Sequence, residues 1–329
     1  MRFSFTIRFI TYCVLMTGLS IGVFSCDQTS QVEKDIAAIP VDITIERFDK
    51  LFAKTTLETL PKLKEAYPFI VSPKIADSIW ISTLKDTLQQ QLFKATETAF
   101  PDNALMQDDI ESLFQHLKYY DATFKIPRVI TVTSNVEYRN KVIVTDSIVL
   151  IALDTYLGPE HEFYANIPQY TSANFKASQI AADLGDTYAK GYAYQTRKKT
   201  LLDEMVYHGK LLYFKDRVIP FLSEAERIGY TQQQLDWCAA NESYIWRYFI
   251  ERELLYNTDS KLPSRFINPA PFSKFYLEDI DNESPGRVGQ YIGWQIVKAY
   301  MDNTDTSLLD MMQKEAEDIF NKANFKPRK

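Results

Sequence analysis

The sequence predicts an α+β domain, predominantly helical, with its helices packed around one small sheet. Apolar residues recur at helical spacing through most of residues 57–117 and 177–321. Three β-branched runs, "IPRVITVTSN", "KVIVTDS" and "SIVLIALDTYLG", sit close together between Ile126 and Gly158 and are bounded by turn residues, as short strands are. No internal repeat or low-complexity tract interrupts the pattern. With 46% hydrophobic and 24% charged residues, the 329-residue chain can bury a sizeable core and is not broadly disordered.

The chain opens with Arg2 and Arg8 and an apolar run from Phe9 to Phe24, and no acid precedes Asp27. A basic stretch followed by an apolar one too short to span a bilayer is the pattern of an export signal. It ends in Val23-Phe24-Ser25-Cys26, which resembles a bacterial lipobox. Residues 1–25 therefore read as a lipoprotein signal peptide, with Cys26 as the lipidated first residue of the mature protein. Residues 26–40 are polar and aperiodic, and read as a flexible tether. Residues 41–329 read as a single globular domain with a helical first half (41–125), a small sheet (126–157) and a helical second half (175–329).

Within that domain "VDITIERFDKLF" reads as a short extended entry leading into a helix, and Pro61, Pro68, Pro73 and Pro101 punctuate the helices that follow. After the sheet, one helix is expected over Ala177–Tyr192 and another from about Lys199 to Lys215. A long one starts at Thr231, whose hydroxyl caps "QQQLDWCAANESYIWRYFIERELL". Helices over about Val288–Met301 and Ser307–Asn321 complete the fold. A stretch dense in Pro, Gly and aromatic residues runs from Phe266 to Tyr300, passing from a loop into the first of these two helices. It reads as a stiff packed lid, or as a binding loop presenting Phe272, Phe275, Tyr276, Arg287 and Tyr291. Gly289 and Gly293 lie four apart and allow a close helix contact. Arg287, at the start of a helix, is expected to meet Asp281, Glu283 or an acid of a partner.

Composition narrows the chemistry. A net charge of −6, near −8 for the mature chain (35 basic against 43 acidic residues once Arg2 and Arg8 are removed), opposes nucleic-acid binding. The three cysteines are Cys13, Cys26 and Cys238, so the exported domain retains one thiol and cannot build a disulfide framework. Cys238, beside Trp237, reads as a small buried residue. Only His116, His161 and His208 supply imidazoles. "HEFYA" at His161 begins like the zinc signature H-E-x-x-H, but Ala165 stands where the second histidine must be. Asp203, Glu204 and His208 share one predicted helix, and Asp183 lies on the preceding one. Together they form a possible vestigial site, although a surface pair on the polar side of an amphipathic helix is the favoured reading of Glu204 and His208. No metal, cofactor or catalytic residue is assigned.

Several segments together resemble the GldB family of gliding-motility lipoproteins from gliding bacteria of the Bacteroidetes type. They are the lipobox at Cys26, "ITIERFDKLF", "LLDEMVYHGKLLYFKDRVIP", "FINPAPFSKFYLEDIDNESPGRVGQYIGWQIVKAYM" and "IFNKANFKPRK". The resemblance implies a cell-envelope protein required for gliding, lipid-anchored and expected in the outer membrane, whose partners are other envelope motility proteins and the bilayer that receives the Cys26 acyl chains. The second half also resembles a degenerate zinc-peptidase-like domain. His208-Gly209 stands at the Glu-Gly position and Tyr291-Ile292-Gly293 matches the glycine-containing helix, while the helix "SQIAADLGDTYAKGY" lacks histidine. The resulting expectation is a non-enzymatic interaction component, a pseudo-peptidase. The alternatives are a divergent metal-dependent hydrolase and a glycan-binding lipoprotein. Cys26→Ser is expected to leave the domain folded but move the protein from the membrane to the soluble fraction, as cell fractionation would show.

Overall fold

A computed structural model describes residues 31–329, so the expected signal peptide and Cys26 lie outside the described residues. The described residues divide into two units, one ending at Ala38 and the other covering 39–329. In the first, Gln31–Ala37 forms helix α1, where the sequence suggested a flexible tether. Its residues are mostly good helix formers, Glu33 lies in the first turn, and the Gln31 amide donates to Asp35 Oδ1 at 2.8 Å across one turn. Among the described residues no helix is long and apolar enough to cross a membrane.

The second unit has the predicted class: predominantly helical α+β around one small sheet. The sheet holds β1 (Ile45–Glu46), β2 (Arg128–Val132), β3 (Val142–Val144) and β4 (Ile148–Ala152) in the order β1-β2-β4-β3. β1 and β4 flank β2 in parallel, and β3 returns antiparallel on β4. Strand side chains alternate between faces, and here both faces are covered. Val129, Val149 and Ile151 enter the main helical core, whereas Ile130 joins a smaller cluster with Phe48, Phe52, Leu60 and Phe93. That smaller cluster is built by α2 (Phe48–Ala53), α3 (Leu60–Ala66), α4 (Asp77–Lys85) and α5 (Thr87–Ala99), while α6 (Gln107–Tyr120) turns Ile110, Leu113, Phe114 and Leu117 into the main core.

The second half supplies α7 (Ile180–Tyr192), α8 (Leu201–Val218), α9 (Glu224–Ile228), α10 (Gln232–Ala240) and α11 (Glu242–Glu251). They are followed by α12 (Leu262–Phe266), α13 (Val288–Asp302), α14 (Leu308–Met312) and α15 (Ala316–Ala323). Two predicted helices are each divided in two. The run that Thr231 caps breaks at Asn241, whose side chain donates back to the Trp237 carbonyl at 2.9 Å. The helix expected over Ser307–Asn321 ends at Met312 and restarts at Ala316.

Helices α8 and α13 cross at the centre, and glycine makes the crossing possible. A Cβ on Gly293 would overlap the Met205 carbonyl, and one on Gly209 would overlap the carbonyl of Gly293. The backbones therefore touch directly. Trp294, fully buried, secures the same pair by donating its indole N–H to Asp216 Oδ2 at 2.6 Å. Gly289 has a different partner from Gly293, lying against Phe266 and Ile267 at the end of α12.

The Pro- and Gly-rich stretch is packed, as the lid reading expects. Ser273 Oγ donates to the Pro285 carbonyl at 2.7 Å and accepts from Val288 N–H, and Ser284 bonds back to Ser273. Asp281 accepts the N–H groups of Phe275 and Tyr276, so it is committed to the loop and does not meet Arg287. Phe275, Phe266, Phe249 and Tyr248 pack edge-on and tilted in one aromatic cluster under the loop.

A buried cation fastens the C-terminal segment. Lys210 on α8 is only 2% exposed, and its ammonium donates to the carbonyls of Tyr194, Met312 and Lys314 at 2.6, 2.9 and 3.1 Å. Met312 ends α14, where an ammonium complements the helix dipole. Burial pushes this amine down to about 8, and the three carbonyls keep its donors satisfied. Lys210→Met leaves three carbonyls without their donor, and chemical denaturation should show a loss of about 3 kcal/mol.

Candidate functional site

Helices α7 and α8 form two walls of a cleft of about 490 Å³, with the remaining walls coming from 138–141, 170–176, 227–234 and the start of α13. On α7 the spacing i, i+3, i+7 brings Asp183, Asp186 and Lys190 to the cleft, and on α8 it brings His208, Leu211 and Lys215. Thr200 starts α8 with a capping box. Its side chain accepts from Asp203 N–H while the Asp203 carboxylate accepts from Thr200.

This explains how the proposed vestigial set separates. Asp183 and His208 both line the cleft. Asp203 is consumed by the helix cap, and Glu204 points toward Lys199 and Gln195. Asp186, one turn beyond Asp183, meets Lys190 and Lys215.

The two cleft carboxylates are engaged. Asp183 pairs with Lys141 and accepts the Tyr156 hydroxyl at 2.8 Å. Asp186 lies 2.7 Å from Lys190 Nζ and 4.0 Å from Lys215 Nζ. Burial raises the Asp186 pKa, but Lys215 and Lys190 outweigh it and hold this carboxyl below its usual value. Lys215 is pushed down by burial, with Asp186 opposing the shift, and it also donates to the Arg227 carbonyl. His208 is pushed down to about 4, first by burial and then by Lys190, Arg287 and Lys215, against the pull of Asp186. Its imidazole is therefore neutral at physiological pH.

Arg287 closes the cleft from the other side. It sits before α13 with φ 65°, a left-handed backbone uncommon for a non-glycine residue. Its guanidinium donates to the carbonyls of Ile228 and Gly229 at 2.8 and 2.9 Å and lies over the Tyr230 ring. The expected acid, Asp281 or Glu283, is not its partner.

The other residues of the proposed binding loop do not form one surface. Tyr291 is buried, with its hydroxyl on Glu242 at 2.9 Å. Tyr276 is 71% exposed, stacked on Arg265. Phe272 is partly buried, and Phe275 is buried in the aromatic cluster. Phe275 also lines a separate groove of about 380 Å³ with Trp237, Tyr244, Tyr248, Leu277 and Ile280.

His161 serves a short turn, its Nδ1 accepting from Phe163 N–H at 3.3 Å. Cys238 is fully buried, and burial pushes its thiol up to about 12, which keeps it from acting as a thiolate nucleophile. The zinc that a peptidase-like domain implies does not fit the cleft: both carboxylates are held by lysines, and one imidazole among ammonium groups does not seat a hydrolytic cation. Among the described residues no three His, Cys, Asp or Glu side chains converge into a metal-binding group.

Sequence reasoning missed Lys141, Lys190 and Lys215. Two signals were present: Asp186 and Lys190 at i, i+4, and Lys215 two helical turns beyond His208.

Fold and cleft together define a helical α+β protein with a polar cavity whose two carboxylates are both paired with lysines. The family model described as gliding motility protein GldB matches residues 29–327, and the chain belongs to that family, which is one of gliding-motility lipoproteins. No curated protein and no solved structure gives a significant match.

The depressed His208 pKa has a direct consequence for stability. Because the folded value, about 4, lies below the usual 6.5, the unfolded chain takes up the proton first as pH falls. The contribution is complete above about pH 6.5 and is lost toward pH 4, for a total of about 1–3 kcal/mol. Denaturation of His208→Gln across that window should show a flatter pH dependence than the parent.

Proposed function

We propose that this protein is a lipid-anchored, non-enzymatic component of the gliding apparatus. It acts in the cell envelope by binding, with the cleft between α7 and α8 as its contact site. The observation that carries this reading is the pairing of Asp183 with Lys141 and of Asp186 with Lys190. A hydrolytic site needs carboxylates free to ligate a cation or move a proton. Here ammonium groups occupy them, and the neutral His208 stands beside the same cations. Anchorage through Cys26, an outer-membrane address and contact with other motility proteins belong to this proposal and rest on family membership and the export-type N-terminus.

Two measurements test it. Detergent-purified full-length protein should contain far less than one zinc per chain, and chelator should leave its melting unchanged. One zinc per chain, lost together with gliding in His208→Ala, would sink the proposal. Ala173 is exposed and lines the cleft. Cells carrying Ala173→Trp, which fills that space, should accumulate the protein at parental level and glide poorly.

A second reading draws on the aromatic groove. Tyr244 is 59% exposed there, beside Asn241, Arg247 and Glu251, an arrangement suited to stacking and hydrogen-bonding a sugar. Glycan-array binding that disappears in Tyr244→Ala would favour it.

A further inference from the structure

The cleft is unlike the rest of this acidic chain. Six basic side chains line it, Lys141, Lys176, Lys190, Lys215, Arg227 and Arg287, against two carboxylates, Asp183 and Asp186. Arg227 pairs at 2.8 Å with Asp216, which lies outside the lining. That leaves Lys176 and Arg287 with no carboxylate partner among the described residues, and Lys190 and Lys215 sharing Asp186. Low-dielectric walls focus such an excess of one sign on whatever enters.

We infer that this cleft seats a small anionic ligand, a phosphate- or carboxylate-bearing group held by Arg287, Lys176, Lys190 and Lys215.

The geometry of Arg287 is the strongest support. Backbone in the left-handed region is strain that persists where the surroundings hold it, and such strain concentrates at ligand sites. The two carbonyls of Ile228 and Gly229 fix the guanidinium without neutralising it, and three of its five N–H donors remain for a ligand. An oriented guanidinium suits the paired oxygens of phosphate or carboxylate. Helix α13, 15 residues long, starts beside it, so its positive end adds to the same field. Lys215 is nearly buried and spends one donor on Arg227, which leaves two. His208, uncharged, can donate or accept beside these groups without adding a competing charge.

The inference rests on the binding role proposed above but names what is bound. Its test is thermal denaturation of detergent-solubilised full-length protein at constant ionic strength, with chloride replaced stepwise by inorganic phosphate in one arm and citrate in the other. A ligand that binds only the folded state raises Tm in a saturable way. At least one arm should show this, and the arm that responds at lower concentration identifies phosphate or carboxylate as the preferred group. Arg287→Ala should weaken the effect on the order of tenfold. Because that variant also loses two bonds to backbone carbonyls, Lys176→Glu serves as the second. The Lys176 side chain makes no ion pair or hydrogen bond among the described residues, and its backbone bonds to Gln179 and Leu157 do not depend on the side chain. Its reversal should abolish the shift while the ligand-free Tm stays parental. Two results would overturn the inference: no shift beyond the chloride control in either arm, or a shift of parental size in Lys176→Glu. Neither touches the binding role itself, which stands or falls on zinc content and on gliding of the Ala173→Trp cells.

Discussion

The direct backbone contact between Gly209 and Gly293 is the constraint on which the rest of the second half depends. Side chains normally hold packed helices 8–10 Å apart. Here α8 and α13 meet carbonyl against Cα, because neither residue carries a Cβ. Consequences run outward in both directions along the two helices. His208 is the immediate neighbour of Gly209, and Lys215 follows two turns later on the same face. Arg287 and Gln290 lie just N-terminal to Gly293 on the other helix, and both line the cleft. Trp294, next to Gly293, ties α13 back to Asp216 of α8. One crossing thus sets the distance between the two sides of the cleft. The lid between Phe266 and Arg287, stitched through Ser273, Ser284 and Asp281, delivers the chain to α13 at the required angle.

Electrostatics then decides what the cleft can do. Coulombic attraction across a few ångströms in a partly desolvated space is strong enough to hold each carboxylate to a lysine. Burial, helped by Lys190, Arg287 and Lys215, pushes the His208 pKa down and keeps its imidazole neutral at neutral pH. A peptidase-like arrangement needs the opposite: ligands whose lone pairs are open to a cation. The chain as a whole is acidic, yet this cavity concentrates the basic side chains, so net charge is a poor guide to its preferred partner. Whole-chain charge speaks to solubility and to broad surface contacts, whereas a cavity is governed by the few groups that face it.

Much of the architecture was legible in the sequence because it rests on local signals. The β-branched runs became β2, β3 and β4, and the capping residue Thr231 sits at its helix start. Helix breaks were harder to read. The stop at Asn241 depends on one side chain turning back to a carbonyl, and nothing in the apolar spacing announces it. Of the site, Asp183 and His208 were named from helical position, but Glu204 was grouped with them on spacing alone. Whether an i, i+4 partner faces a cleft or solvent depends on the rotation of the helix, which here the contact at Gly209 sets. Lys190 and Lys215 escaped notice for the same reason: a basic residue on an amphipathic helix reads as a solvated face until a neighbouring helix arrives. Arg287 was singled out for its charge at a helix start, but its partners, the carbonyls of Ile228 and Gly229, lie 59 and 58 residues away, beyond any local pattern.

The most direct measurement is the Gly293→Ala variant, followed by thermal melting and by NMR titration of the His208 ring. If the glycine crossing builds the cleft, the added methyl must force α8 and α13 apart. The variant should then lose about 3 kcal/mol, melt roughly 5 °C or more below the parent, and show a His208 pKa returning toward 6.5 as the surrounding cations and walls withdraw. A variant that melts with the parent and keeps His208 near 4 would show that the two helices and the cleft are positioned by something else.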